Sequence, residues 1–311
     1  MNRSLRTMLA IGAPMLAALI LAAPMPILAQ STTFKVDVKL VNIFVNVTDA
    51  NGAIVGGLTR NDFKVFEDGR PQEIAVFERQ SELPLNLALA IDTSGSVRKD
   101  MSEEAGAALR FAHAIMRPQD QMSIFQFATV VRQLTPFTNK QAEIDRGLGQ
   151  LRSDWATALY DAIVEGSKKL GPREGRKILV VISDGDDTAQ NSTYADALEA
   201  ALRNEVTIYS LIDVPIEASA GRDIGGEHAL ITLAEQTGGK HFYVGAGGLD
   251  KAFAQVSDDL RTQYLLGYYP KDQEPGRAFH RVTVTIPRAA PDVYNLRHKV
   301  GYYANAADEG N

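Results

Sequence analysis

The chain has 311 residues, of which 45% are hydrophobic and 23% charged, with a formal net charge of −6 and no cysteine. That balance suits a globular protein of one or two domains. The acidic balance argues against a nucleic-acid partner, since phosphate binding needs a basic face; the lack of cysteine excludes disulfides, thiolate chemistry, cysteine-ligated zinc and a lipid anchor on cysteine.

The first thirty residues stand apart from the rest. Arg3 and Arg6 precede an apolar run over 8–28, which closes on Ile27-Leu28-Ala29-Gln30. A basic start, an apolar middle and a small-residue end make a secretory signal peptide, with cleavage expected near residue 29 or 30. The competing reading is an uncleaved anchor, but Pro14, Pro24 and Pro26 interrupt the run. No later segment is apolar enough to span a bilayer. The mature chain is therefore expected in the periplasm or outside a bacterial cell.

Residues 31–82 read as the first part of a β-domain. The segment 34–47 alternates apolar and polar residues, as a half-buried strand does. Asp49-Ala50-Asn51-Gly52 is a turn, and Asp68-Gly69 is another between strands at 63–66 and 74–77. Thr59 and Asp62 are spaced to cap a short helical turn. Two or three hairpin strands bury little alone, so this region needs a partner sheet.

Residues 83–261 change character. Strands are predicted at 85–91, 122–127, 178–182, 206–212 and 241–244, with a short hairpin-edge strand at 130–134. Helices are predicted at 101–116, 142–151, 156–170, 194–204, 227–237 and 249–260. This alternation implies an α/β fold: a doubly wound, mostly parallel sheet with helices on both faces. Gly245-Ala246-Gly247-Gly248 lacks the spacing of a phosphate cradle and reads as a loop.

Residues 262–304 return to β structure, with strands at 264–269, 280–286 and 294–300 and turns at 272–276 and 289–292. Residues 305–311 form a small polar tail, expected to fray. The two flanking segments are expected to pack as one discontinuous, antiparallel β-sandwich-like domain, with the α/β domain inserted between them.

The candidate site begins at Asp92-Thr93-Ser94-Gly95-Ser96, directly after the apolar run 85–91. Alternate residues of an extended segment point the same way, so Asp92, Ser94 and Ser96 can converge. Oxygen-only ligands suit a hard divalent cation, Mg²⁺ above all, with Mn²⁺ or Ca²⁺ also compatible. Thr157 opens the predicted helix after Ser153-Asp154-Trp155-Ala156, and Asp184 ends the strand 178–183. Both belong to loops outside strand carboxyl ends, where ligands of open α/β sheets collect.

Together, Asp92-Thr93-Ser94-Gly95-Ser96, Thr157-Ala158-Leu159-Tyr160-Asp161-Ala162-Ile163 and Val181-Ile182-Ser183-Asp184-Gly185-Asp186-Asp187 resemble a von Willebrand factor type A domain with its metal-ion-dependent adhesion site. The resemblance covers about 83–260, and the flanking elements resemble a bacterial subgroup of exported relatives. It implies a Rossmann-like fold and direct metal ligation by Ser94, Ser96 and Thr157. It also implies aspartates, Asp92 and Asp184, that act through water. One departure is Trp155-Ala156, where family members often carry two glycines; Trp155 is the sole tryptophan. It stands either as a shield over the cation, as part of a partner surface, or packed on a neighbouring loop.

The function expected is a non-enzymatic binding or adhesion module that captures the carboxylate of a protein partner through the cation's open position. The alternatives are a metal-assisted phosphoesterase using Asp92 and Asp184, and a scaffold whose metal is only structural. Helix and turn capping would account for any one of the five residues but not for all together. His113, His228, His241, His280 and His298 show no zinc-hydrolase spacing, and Ser94 is not in a nucleophile elbow. Asp186 and Asp187 read as a solvated loop, Asp161 as a helix-surface or supporting group. Tyr264, Tyr268, Tyr269, Tyr302 and Tyr303 read as cross-strand packing rather than a binding stripe.

Overall fold

A computed structural model describes residues 40–79, 82–94, 101–189, 191–213, 224–244, 248–271, 278–287 and 293–304. The signal-peptide segment 1–30, residues 34–39 of the first predicted strand, Ser96, both predicted late turns and the tail lie outside the described residues.

The early alternating pattern forms β1 (Val41–Asp49), whose Val41, Ile43, Val45 and Val47 are all buried. A 3-10 turn at Arg60–Asp62 follows, with Asp62 Oδ2 accepting from the Thr59 N–H at 2.8 Å. Then come β2 (Lys64–Glu67), β3 (Arg70–Gln72) and β4 (Ile74–Arg79). The middle of the chain runs β5 (Leu85–Asp92), α1 (Met101–Ile115), β6 (Gln121–Phe127), β7 (Val131–Thr138), α2 (Gln141–Leu148) and α3 (Leu159–Leu170). It continues through β8 (Arg176–Ser183), α4 (Tyr194–Arg203), β9 (Val206–Ile212), α5 (Ile224–Gln236), β10 (His241–Tyr243) and α6 (Gly248–Arg261). The last strands are β11 (Tyr264–Tyr268), β12 (Phe279–Thr285), β13 (Tyr294–Arg297) and β14 (Gly301–Tyr303).

The middle strands form a six-stranded sheet in the order β10-β9-β8-β5-β6-β7. All neighbours pair in parallel except β6 with the edge strand β7. Every residue of β5 is buried, as a strand covered on both faces requires. Its period of two divides the core. Leu85, Leu87, Leu89 and Ile91 pack with Phe111 of α1 and Phe253 of α6, whose rings stack with centroids 4.3 Å apart. Ala88 and Ala90 face the other way, against Leu159 and Ile163 of α3 and Leu233 of α5. Each fully buried leucine or isoleucine here contributes about 1.5–3 kcal/mol relative to exposure.

The outer strands form two four-stranded sheets, β13-β1-β11-β4 and β14-β12-β2-β3. Each sheet mixes strands from both ends of the sequence: β1 lies between β13 and β11, and β2 pairs with β12. One apolar cluster includes Ile43 and Leu266 from the first sheet and Val65 and Val284 from the second. This is the antiparallel sandwich into which the doubly wound sheet is inserted.

Three expectations need correction. The segment 294–300 was expected as one strand, but β13 and β14 belong to different sheets. The chain between them turns to the end of α5, where the Val300 N–H donates to Gln236 O at 3.0 Å and Lys299 bridges Thr237. The short edge strand at 130–134 extends to Thr138, because its outer half pairs back along β6 as far as Met122. The helix expected at 156–170 begins at Leu159, so Thr157 precedes it.

Candidate metal centre

Strands β5 and β8 lie side by side at the centre of the sheet, and the connections from them run to opposite sides. This is the switch point where open α/β sheets bind ligands. Asp92 is the last residue of β5, and Asp184 directly follows β8. Asp92 is 1% exposed, Ser94 2% and Thr157 4%, whereas Asp184 is half-buried.

Both oxygens of Asp92 are held. Oδ1 accepts from the Ser94 N–H at 2.9 Å, and Oδ2 accepts from Ser183 Oγ at 2.7 Å. Ser183 Oγ in turn accepts from the Gly185 N–H at 3.1 Å. Burial pushes the Asp92 carboxyl up to about 6; the Ser94 and Ser183 hydrogen bonds oppose this, while the charge of Asp184 adds to it. The buried Asp92 carboxylate thus feels the negative charge of half-buried Asp184, an arrangement that a divalent cation offsets.

The third loop joins through its backbone. The Thr157 N–H donates to Thr188 Oγ1 at 2.8 Å, and its carbonyl accepts from the Thr188 and Ala189 N–H groups at 2.9 and 3.0 Å. These bonds to the loop after β8 hold Thr157 out of α3. Asp187 is not merely solvated, since its Oδ1 accepts from the Tyr160 N–H at 3.3 Å. Asp161 accepts from Asn191 Nδ2 at 2.9 Å and from Ser192 Oγ, tethering the same loop. The Asp154 N–H donates to Thr93 O at 3.0 Å, so the loop carrying Trp155 is fastened to the end of β5. Trp155 itself is 86% exposed, which excludes packing against a neighbouring loop.

The described part of the site therefore draws Asp92, Ser94, Thr157 and Asp184 from three loops linked by hydrogen bonds. Hydroxyl and carboxylate oxygens are the donor types that suit a hard divalent cation. Sequence reasoning missed Ser183. Its signal was a hydroxyl at the last position of an otherwise apolar buried strand. Gly185 was also missed as a requirement: its φ is +104°, and a Cβ there would come within 2.7 Å of backbone atoms of Gly226 and Glu227.

Comparison with known proteins bears on the fold that carries these residues. A family model for the von Willebrand factor type A domain matches residues 87–186. A von Willebrand factor type A structure from Catenulispora acidiphila has a TM-score of 0.50 at 12% identity, covering 87% of this chain and 75% of that one. The conserved hypothetical protein BatB from Bacteroides thetaiotaomicron has a TM-score of 0.46 at 19% identity, covering 57% of this chain and 97% of its own. The vWF domain of the type V pili tip protein Mfa5 from Porphyromonas gingivalis has a TM-score of 0.45 at 11% identity, covering 57% and 94%. No curated protein matches the chain at a significant level. The family match runs from within β5 to just beyond β8 and spans both strand ends that carry the aspartates; over residues 87–186 this chain is similar to the von Willebrand factor type A domain.

Proposed function

We propose that this protein is an exported, non-enzymatic binding module that captures an acidic group of a protein partner through a divalent cation, Mg²⁺ above all. Asp92, Ser94, Ser96, Thr157 and Asp184 would hold the cation, which when bound offers an open position to a carboxylate oxygen. The observation that carries the reading is the fixed, buried Asp92 beside Asp184, at the sheet's switch point. Ser94 and Ser183 set the direction of its carboxylate before any partner arrives. Trp155 supplies an apolar contact beside the site, as exposed tryptophans do at interfaces. No helix among the described residues is long and apolar enough to cross a membrane.

The test is a pull-down from the source cell envelope with Mg²⁺ or with excess chelator, comparing wild type with Asp92→Ala and Ser94→Ala. The expected result is capture of a protein that chelator and either variant abolishes while the fold is kept. Retention of the same partner in excess chelator would overturn the proposal.

A further inference from the structure

We infer that Glu67, Asp68 and His280 form a second metal site, for a Zn²⁺-class dication, within the β-sandwich and independent of the strand-end site. Glu67 ends β2, Asp68 opens the turn to β3, and His280 lies on β12. Ligand atoms of the three side chains all lie within 4.8 Å of one another. Glu67 is 3% exposed and His280 1%, so the group is built into the sandwich rather than scattered on its surface.

Each carboxylate is aimed by protein donors. Glu67 Oε2 accepts from the Tyr268 hydroxyl at 2.6 Å and the Tyr302 hydroxyl at 2.9 Å. Its other oxygen lies 3.6 Å from His280 Nδ1. Asp68 Oδ1 accepts from the Arg281 N–H at 2.9 Å, and its Oδ2 lies 2.8 Å from His280 Nδ1. Outer hydrogen bonds of this kind orient metal ligands and tune their basicity.

The spacing is close to that of a coordinated ion. Tetrahedral ligands at about 2.0–2.1 Å from zinc stand about 3.3–3.4 Å apart. The imidazole-to-Glu67 distance is already near this, and the imidazole-to-Asp68 distance needs to open by about half an ångström. Asp68 sits on a turn and is the least buried of the three, so it is the side chain able to move. One imidazole nitrogen with two carboxylate oxygens selects Zn²⁺ over Mg²⁺, which prefers an all-oxygen octahedron. A dication matches the two carboxylate charges, and three protein ligands leave the fourth position to water. Bound there, the ion would pin the β2–β3 turn to a strand more than two hundred residues away, joining the two halves of the discontinuous sandwich.

The experiment titrates the full chain carrying Ser94→Ala with Co²⁺, in excess Mg²⁺, and follows the visible absorption of coordinated cobalt. The expected result is one Co²⁺ per chain, displaced by Zn²⁺, with a rise in Tm on Zn²⁺ addition. Asp68→Asn, which tolerates the turn conformation and keeps an acceptor for Arg281, should weaken Zn²⁺ at least about tenfold. His280→Gln should do the same independently. Absence of cobalt bands in the Ser94→Ala chain, or unchanged affinity in both ligand variants, would overturn the assignment.

Discussion

Ser183 Oγ donates to Asp92 Oδ2 at 2.7 Å, tying the ends of the two central strands at the point where the candidate site forms. Ser183→Ala removes that donor from a buried carboxylate and also removes the acceptor of the Gly185 N–H. A buried polar group left unsatisfied costs about 1–3 kcal/mol, so the unfolding free energy from urea titration should fall by that amount and the midpoint with it. Mg²⁺ affinity, followed by calorimetry, should fall with it because Asp92 loses its fixed direction. An unchanged midpoint would show that the bond is not formed in solution.

Gly185 and Gly57 offer a controlled pair. Both have positive φ, +104° and +85°, but a Cβ at Gly57 meets nothing within 4 Å. Alanine at either position bears the left-handed cost of about 1–2 kcal/mol. Only Gly185→Ala also drives a methyl group into the backbone at the start of α5, adding about 1–3 kcal/mol for overpacking. Thermal unfolding should therefore separate the two variants, and only Gly185→Ala should weaken Mg²⁺ binding, since it displaces Asp184. Equal destabilisation would mean that α5 yields freely.

What could be read from the sequence was what period and strand ends reveal. The run ending in Asp92 and the run ending at Ser183 are both buried strands, and their terminal residues lie at the sheet's carboxyl edge as the pattern required. The two-faced division of β5 follows from its alternation of large residues with Ala88 and Ala90. Thr157 shows where such reading stops. Its local sequence favours a helix start, yet its N–H and carbonyl bond to residues about thirty positions later, which no local pattern reports. Lys299 and Val300 are a second case: they look like strand, but their backbone is spent on the end of α5.

His298 should make stability fall on mild acidification. Its Nε2 accepts from the Val284 N–H at 3.2 Å, and Nδ1 lies 2.8 Å from Lys299 O, a pattern that requires the neutral ring. Burial holds its pKa below the usual histidine value, and the Lys299 charge adds to that, against the hydrogen bond to the Lys299 carbonyl. The unfolded chain thus binds a proton before the folded one does. The contribution is complete above the unfolded pKa of about 6.5 and is lost as the pH falls from there toward the folded value. His241, also held low by burial, acts in the same direction. Denaturant midpoints at about pH 7.5 and about pH 5.5 should differ more for wild type than for His298→Gln, and an identical difference would remove His298 from the account.

Asp259 joins the inserted sheet to the sandwich. From α6, its Oδ2 accepts from the Tyr209 hydroxyl at 2.6 Å and its Oδ1 from Arg297 Nη2 at 2.5 Å. Its carbonyl accepts from Asn46 Nδ2 at 3.0 Å, while Arg297 Nη1 reaches Gly238 O at 2.9 Å. Strands β9, β1 and β13 therefore meet at one helix turn. The ion pair is largely shielded, with side chains 22% and 13% exposed, so removing one partner strands the other charge. Asp259→Ala should cost about 3–5 kcal/mol, as breaking a buried pair does. Arg297→Ala should cost less, because the Tyr209 hydroxyl still serves the carboxylate. The double variant should then be more stable than the sum of the two losses predicts, by at least about 1 kcal/mol. Strict additivity in the double-mutant cycle would show that the two halves of the chain do not depend on this pair.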